Sequence, residues 1–370
     1  HQIAERPGPS GSGLFCYAGE ARSVPAGSRQ RNGEFPALHF LIGRQALVRV
    51  KQCRARDLEP MAWPRASVTD GWTSACACAR PSIGELVSNI VIVTETGSDI
   101  TASEAAELGI ELVPMHVSIG DVTIDDGTLD PAEMLEECRQ LGVLPRTSGS
   151  MPADFSAVFD RIHEANPEAH ILYIAYSAST TCSFESARTA AEGRGYVSMF
   201  DTGHVTIGLA LVVRKTVEHL RENPDITVEE LLEWSQAYAK RVRMGFLPGD
   251  LGYLRAGGRL SNAAFVGATL LRIKPIIELL DGRLVATKKL RGKMASCSLE
   301  FMEHMIAGVP ADTSTLFFVR SCGLPLAIQQ AAEQRAREMG FEELRWYDTQ
   351  NVITSHCGPG SFAVAFAVEE

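Results

Sequence analysis

The sequence predicts an α/β protein that is followed by an α+β region. Between residues 89 and 242, short apolar runs such as Ile171–Tyr176 alternate with helical patterns, which is typical of a parallel sheet covered by helices. Further on, Asp281-Gly282 separates two strand-like runs and predicts a hairpin. We therefore expect an N-terminal parallel-sheet, three-layer domain over residues 89–242 and a C-terminal α+β domain over residues 243–370.

Residues 1–88 differ from the rest of the chain in charge and pattern. They hold eleven basic and seven acidic residues, whereas the whole chain carries a net charge of −10. The order of a secretory signal is absent, and Cys76-Ala77-Cys78 has the wrong spacing for a zinc pair. We interpret this segment as a disordered or non-native extension and leave it out of the functional argument.

Composition excludes several classes of protein. The apolar fraction of 45% and the charged fraction of 22% are ordinary for a globular protein, and no run of 18 apolar residues suggests a membrane span. The net charge of −10 argues against a general nucleic-acid binder. The five cysteines beyond residue 88 are scattered without metal-ligand spacing, which fits reduced thiols in a cytoplasm and no metal site.

The first half of the α/β region reads as two strands and three helices. Pro114 interrupts the second strand, which places that strand near a sheet edge. The acidic stretch Asp121–Asp126 lacks calcium-loop spacing and is interpreted as a solvated turn. A hydroxyl-rich loop, Pro145–Ser150, precedes the third helix. The predicted strands are Asn89–Thr94 and Ile110–Val117, and the predicted helices are Thr101–Leu108, Asp130–Leu141 and Met151–Ala165.

The stretch that follows organises the region. A buried strand, Ile171–Tyr176, leads through the uncharged loop Ser177–Ser183 into a helix, Phe184–Glu192. Five hydroxyls in this seven-residue loop, together with the free N–H groups of a helix N-terminus, suit an anion such as a carboxylate or phosphate. Helix capping is the alternative, since Ser and Thr cap helices routinely. A strand at Tyr196–Asp201 and helices at Thr206–Arg221 and Thr227–Val242 complete the region.

The last third of the chain mixes strands, helices and basic turns. His356 is expected to end a β-branched strand before a Gly-Pro-Gly turn, where it is either a structural histidine or a ligand contact. Arg291 follows the hairpin and, taken alone, is a solvated cation, and Arg255 and Arg259 flank a Gly-Gly turn. The other predicted elements are an apolar segment, Ala263–Ile277, strands at Ser314–Arg320, Glu343–Tyr347 and Phe362–Val368, and helices ending near Ala307 and Met339.

Several ordered motifs make residues 89–370 resemble the DegV family, which includes the fatty-acid-binding subunit of bacterial fatty acid kinase. LPRTSGSMPADF is similar to the family's P-T-S-x-P-S-x-x-x-F, and STTCSFESAR is similar to its S-x-x-S-G-T-Y-Q-S-A. LGYLRAGGRLSNAAFVGATLLRIKPII is very close to the family's L-x-x-L-x-x-G-G-R-I…G-x-L-L-x-I-K-P-I. The opening strand IVIVT, the hairpin DGRLVATKKLRGK and SHCGPGSFAVAF also match.

The resemblance implies a bacterial lipid-binding subunit rather than an enzyme. A long-chain fatty acid would occupy an apolar tunnel between the two domains, with its carboxylate held by Thr147, Ser148 and Thr181. Arg291 and His356 would handle the acyl phosphate or dock the partner, a separate ATP-dependent kinase subunit. The resemblance implies no cofactor besides the bound fatty acid, a cytoplasmic location and transient contact with a membrane surface.

Two departures from the family pattern bear on the site. The family's D-S-T after the first strand is Glu95-Thr96-Gly97 here, and its S-G-T is Thr181-Cys182-Ser183. A cysteine adopts a positive φ less readily than glycine, so the carboxylate contacts are expected to differ at Cys182.

Two other functions stay open on the sequence alone. A hydrolase or acyl transferase would use a hydroxyl of Ser177–Ser183 with His356 as base, although no G-x-S-x-G, Walker or H-E-x-x-H motif occurs. The second is a scaffold whose ligand is purely structural.

Overall fold

The computed structural model describes residues 89–258 and 273–369. The predicted extension 1–88, Arg259 and most of the apolar segment Ala263–Ile277 lie outside the described residues. The described part contains a four-stranded, a three-stranded and a six-stranded sheet. None of its helices combines the length and hydropathy that a bilayer crossing requires.

The four-stranded sheet is parallel, as predicted, in the order β2-β1-β6-β7. Side chains of β6 alternate between two cores: Leu172 and Ile174 face one, whereas Ile171 and Tyr173 face the other. Helices therefore cover both faces, and the three-layer prediction is confirmed. The strands are β1 (Ile90–Glu95), β2 (Glu111–Val113), β6 (His170–Ala175) and β7 (Val197–Asp201). The helices of this half are α1 (Ala102–Leu108), α2 (Pro131–Leu141), α3 (Pro152–Ala165), α4 (Ser183–Ala191), α5 (Thr206–Glu222) and α6 (Val228–Arg241).

The three-stranded antiparallel sheet corrects two predictions. Beyond Pro114 the chain leaves edge strand β2 and forms β3 (His116–Ile119), which pairs with β4 (Val122–Asp125) and β5 (Arg146–Ser148). The predicted solvated turn is therefore mostly strand, and Asp126 at its end is buried. The predicted loop around Thr147 and Ser148 is also a strand, because distant β3 supplies its hydrogen-bonding partners.

The six-stranded sheet has the order β10-β9-β8-β13-β11-β12 and is antiparallel except for the β11–β12 pair. The predicted hairpin is confirmed: Asp281 (φ 48°) and Gly282 (φ 74°) form its turn, and two positive φ values match the strand twist. The strands are β8 (Val242–Leu247), β9 (Ile273–Leu280), β10 (Arg283–Arg291), β11 (Thr315–Arg320), β12 (Glu343–Asp348) and β13 (Phe362–Ala367). The helices are α7 (Leu251–Ala256), α8 (Met294–Ile306), α9 (Leu326–Glu338) and α10 (Asn351–Cys357).

The prediction that His356 ends a strand is wrong, since it lies near the end of helix α10. Two buried carboxylates from the first half hold the start of this helix. The Gln350 N–H donates to Asp99 Oδ1 at 2.7 Å, and the Val352 N–H donates to Asp126 Oδ1 at 2.9 Å. These tertiary contacts satisfy N–H groups at the helix start and override the local β preference of the segment.

Candidate functional site

One cavity of about 420 Å³ receives residues from both halves of the described chain. The hydroxyl-bearing segments around Thr147 and Thr181, together with His356, form its polar end, and Thr206, Thr349 and Ser361 add further hydroxyls to the lining. Much of the remaining lining is apolar and comes from the two larger sheets and their connections. These apolar residues are Met115, Tyr176, Val205, Met244, Phe246, Leu254, Leu284, Val319, Val352, Ile353, Phe362 and Ala363.

The loop between β6 and α4 forms one side of the polar end. It leaves the carboxyl edge of the parallel sheet, where ligands bind in open α/β sheets. Two of its hydroxyls fix the position of the loop. Ser177 Oγ donates to Gly282 O at 2.7 Å and joins the loop to the β9–β10 turn, and Thr180 Oγ1 donates to Ser177 O at 2.9 Å within the loop. Thr181 and Cys182 lie at the cavity wall. Of the five predicted hydroxyls, Ser177 and Thr180 thus have turn and docking roles.

Gly149 brings the two hydroxyl segments into contact. A Cβ at this position would lie 2.3 Å from Thr181 Oγ1 and 2.5 Å from Ser183 Oγ, so only glycine permits this approach. The Ser150 N–H donates to Ser183 Oγ at 3.1 Å, and Ser183 Oγ lies 3.0 Å from Thr181 Oγ1. Strand β5 and the start of α4 therefore form one hydroxyl cluster.

Glu95 lies behind this cluster and is fully buried at the end of β1. Its Oε2 accepts hydrogen bonds from the Tyr173 hydroxyl at 2.5 Å and the Tyr176 N–H at 3.0 Å. Ser150 Oγ lies 3.5 Å from Oε1, and the nearby Ser183 hydroxyl helps to lower the pKa of the carboxylate. Burial raises the pKa of Glu95, and the donors around the carboxylate oppose the rise.

His356 contacts the other side of the polar end. Its Nε2 lies 2.8 Å from Thr147 Oγ1, and a Cβ on Gly257 would come within 2.2 Å of its Nδ1. The ring is thus held between β5 and the end of α7. The sequence paired His356 with Ser177–Ser183 in the hydrolase alternative, whereas the hydroxyl it contacts is that of Thr147.

Four of the five predicted site residues meet at this cavity: Thr147, Ser148, Thr181 and His356. Arg291 does not line it. The arginine is exposed at the last position of β10, opposite Ile273 of β9.

Cys182 does not disturb the backbone as expected. Its φ is −87° and its ψ is 0°, a right-handed conformation that any residue adopts, so no glycine is needed at this position. The cost of a positive φ therefore does not arise at Cys182, and the expectation that the carboxylate contacts differ there stays a prediction. The side chain instead places an exposed thiol at the cavity wall.

Sequence reasoning missed three buried carboxylates near the site. Glu95 appeared as a departure from the family pattern, Asp126 stood in a segment interpreted as a solvated turn, and Asp99 was given no role. Burial raises the pKa of Asp126 to about 6 and that of Asp99 well above its ordinary value. The one signal available was position, since Glu95 comes directly after a buried strand.

A sequence model of DegV, described as a family of uncharacterised proteins, matches residues 89–369. The chain belongs to the DegV family. A DegV domain-containing protein of Deinococcus radiodurans is 29% identical over 282 residues, which cover 75% of this chain and 98% of that protein. A DegV domain-containing protein of Streptomyces coelicolor is 27% identical, over 75% of this chain and 97% of its own length.

Solved structures share the fold. A DegV family protein from Thermus thermophilus, whose structure is described as showing fatty acid binding, has 26% identity and a TM-score of 0.65, over 75% of this chain and 99% of its own. The Fatty Acid Kinase B3 protein of Streptococcus pneumoniae, solved with linoleic acid, has 17% identity and a TM-score of 0.66, over 76% and 99% of the two chains. The predicted family and fold class are thus confirmed.

Proposed function

We propose that this DegV protein binds a long-chain fatty acid in the cavity. Thr147, Ser148 and Thr181 would hold the carboxylate, and the acyl chain would extend along the apolar lining. The observation that carries the proposal is a single cavity with a cluster of hydroxyls in one part and mainly apolar side chains elsewhere. The fatty acid binding described for the Thermus thermophilus relative supports it.

The energetics suit such a ligand. Burial of each CH₂ contributes roughly 0.8 kcal/mol, so a chain of about 16 carbons would contribute about 12 kcal/mol before ordering costs. A buried carboxylate needs hydrogen-bond donors, and neutral hydroxyls provide them without a fixed countercharge. Among the lining residues that the structure describes, none is Lys or Arg. A ligand held in this way is released more readily than one in a buried salt bridge.

We further propose that the protein has no catalysis of its own, works in the cytoplasm and presents the fatty acid to a separate ATP-dependent kinase subunit. The motif resemblance at Arg291 and His356 supports this role, and Arg291 is exposed, as a docking residue must be. Arg291→Ala should therefore leave the bound fatty acid in place and slow acyl-phosphate formation by an added kinase subunit. Equal rates for both proteins would argue against docking through Arg291.

The test of binding is the lipid that copurifies with the protein. Native mass spectrometry of the bacterially expressed full chain should show an added mass equal to one fatty acid. The variant Thr147→Ala with Thr181→Ala should carry markedly less. Thr189→Ala, an exposed threonine on α4, is the matched control and should carry as much as the original. Undiminished occupancy in the double variant would contradict the head-group assignment. If the original protein carried no lipid and also failed to bind added fatty acid, the proposed function would be wrong.

A hydrolase stays the second candidate, because His356 Nε2 and Thr147 Oγ1 lie within hydrogen-bond distance at 2.8 Å. Turnover of a long-chain acyl ester by the protein alone, lost in Thr147→Val, would favour it. Bound fatty acid without turnover favours the binding function.

A further inference from the structure

The carboxylate of Glu95 lies behind the hydroxyl cluster, surrounded by donors. The Tyr176 N–H can only donate, and the hydroxyls of Tyr173, Ser150 and Ser183 each have a proton to give. An ionised carboxylate only accepts hydrogen bonds, at about four positions, so surroundings made of donors suit it. The contacts thus favour an ionised Glu95 in the protein without ligand.

Ionised Glu95 determines the direction of the hydrogen bonds toward the cavity. The oxygen of the Ser183 hydroxyl accepts the Ser150 N–H at 3.1 Å, and an ionised Glu95 nearby attracts the proton of that hydroxyl. With the Ser183 proton directed at Glu95, Thr181 would be the donor in the 3.0 Å bond between Thr181 and Ser183. The Thr181 hydroxyl can turn from Ser183 to a ligand carboxylate, because Thr181 lies at the cavity wall.

A ligand carboxylate bound to Thr181 would then be linked to Glu95 through Thr181 and Ser183. Two carboxylates in one buried site repel each other, and this repulsion raises their affinity for a proton. The lining residues that the structure describes include no Lys or Arg to offset the charges. Burial already raises the pKa of Glu95 before any ligand is bound, which acts in the same direction.

Building on the function proposed above, we propose that the site binds a fatty acid together with one proton, which Glu95 and the ligand carboxylate share. The proton belongs to the coupled pair rather than to either group. Glu95 thereby acts as a positioning residue that makes Thr181 a donor and links binding to pH.

The titratable groups around Glu95 come from each neighbouring element. Tyr173 on β6 donates a hydrogen bond to it directly, and the charge of Asp201 on β7 raises the pKa of Tyr173. Asp99 follows on the same segment, and Cys182 precedes α4. His356 on α10 lies beyond Thr147, which its ring contacts at 2.8 Å, and its imidazole is the side-chain type that serves as a switch at physiological pH.

The direction of the pH dependence follows from linkage. Free fatty acid is ionised at pH 6–8, so a complex that holds one more proton than its parts is favoured by acid. The dissociation constant should rise with pH, by up to about tenfold per pH unit once the pair is ionised in the free components. A neutral ligand of the same length brings no charge, and its affinity should not change in this way.

Isothermal titration calorimetry on the delipidated full chain tests the proposal. Dodecanoate is titrated at pH 7 in phosphate and in Tris, whose ionisation enthalpies differ, so the difference in observed heat counts the protons taken up. We expect about one for the original protein and none for Glu95→Gln. The glutamine keeps the side-chain shape, accepts from Tyr176 and Tyr173 and removes the repulsion. This variant should bind dodecanoate more tightly at pH 8, whereas dodecanol should bind both proteins alike.

The remaining outcomes separate the explanations. The His356→Asn variant should keep the proton uptake. If uptake were lost in His356→Asn and kept in Glu95→Gln, the proton would belong to His356 and the proposal would be overturned. Uptake that persists in Glu95→Gln would also overturn it. Dodecanoate binding with no proton uptake by the original protein refutes the proposal without any variant, so failure of Glu95→Gln to fold does not block the test. Failure of both dodecanoate and dodecanol to bind would instead refute the proposed function.

Discussion

Thr147 Oγ1 and His356 Nε2 lie 2.8 Å apart, although 209 residues separate them in the chain. The threonine belongs to strand β5 of the three-stranded sheet, and the histidine belongs to helix α10, whose start is held by Asp99 and Asp126. This hydrogen bond fixes one wall of the polar end of the cavity. The position of a head-group hydroxyl thus depends on the docking of α10.

A double-mutant cycle should detect this bond in the free energy of unfolding. Thr147→Val removes the hydroxyl, and the asparagine side chain in His356→Asn is too short to reach that hydroxyl. We expect a coupling energy of about 1 kcal/mol, since a hydrogen bond contributes about that much net. Denaturant unfolding of the four proteins measures it, with Thr189→Val as the control partner for His356→Asn. A coupling near zero would mean that the contact does not join β5 to α10.

Gly149→Ala should weaken fatty acid binding more than it changes the fold. The new methyl group would overlap Thr181 Oγ1 and Ser183 Oγ, at 2.3 and 2.5 Å, and would push the two hydroxyl segments apart. Overpacking of this kind costs about 1–3 kcal/mol, and if that cost falls on the bound state we expect about a 5- to 150-fold loss in affinity. Titration with dodecanoate provides the measurement.

Gly195→Ala is the matched control for that change, because Gly195 is exposed and, apart from its two chain neighbours, no residue that the structure describes comes within 4 Å of its added Cβ. It should bind like the original protein. If Gly149→Ala also bound normally, the close approach of the two segments would not matter for the ligand.

Structural features that depend on neighbouring residues within one element could be predicted from the sequence. The alternation along β6, the edge position of β2 before Pro114 and the Asp281-Gly282 turn all follow from neighbouring residues, and each is present in the structure. The family motifs added four residues that meet at the cavity.

Features that depend on distant partners were not readable. Val352-Ile353-Thr354 has three β-branched residues in a row, yet it is helical because Asp99 and Asp126 bind the N–H groups at its start. Thr147 and Ser148 form a strand because β3 pairs with them. The sequence could not show the surroundings of Glu95, because Ser150 and Ser183, which act on its carboxylate, lie far from it in the chain.

The stability of the protein should fall as pH rises from about 4 to 7, and Asp126 should account for part of that fall. Burial raises its pKa in the folded state to about 6, above the ordinary 3.8. The folded state therefore holds more protons than the unfolded state in this window, and stability is lost as pH rises through it. The shift corresponds to about 3 kcal/mol.

Asp126→Asn should flatten this slope while its amide oxygen still accepts the Val352 N–H. Urea unfolding at pH 4, 5, 6 and 7 gives the slopes of both proteins. The raised pKa of Asp99 acts in the same direction, so the difference between the slopes, rather than either slope alone, reports Asp126. Parallel slopes would show that Asp126 is not the group that titrates.

Bound fatty acid should protect Cys182 from alkylation. Its thiol is exposed, immediately precedes α4 and lines the cavity beside Thr181, so an occupant of the polar end would block the approach of a reagent. The rate of carbamidomethylation at Cys182, followed by peptide mass mapping, should fall with the fraction of empty protein as dodecanoate is added. Cys322 is half-buried and does not line the cavity, and its rate should stay constant. If the carbamidomethylation rate at Cys182 did not change with dodecanoate while calorimetry showed binding, the carboxylate would lie away from the Thr181 segment and toward the wall formed by Thr147 and His356.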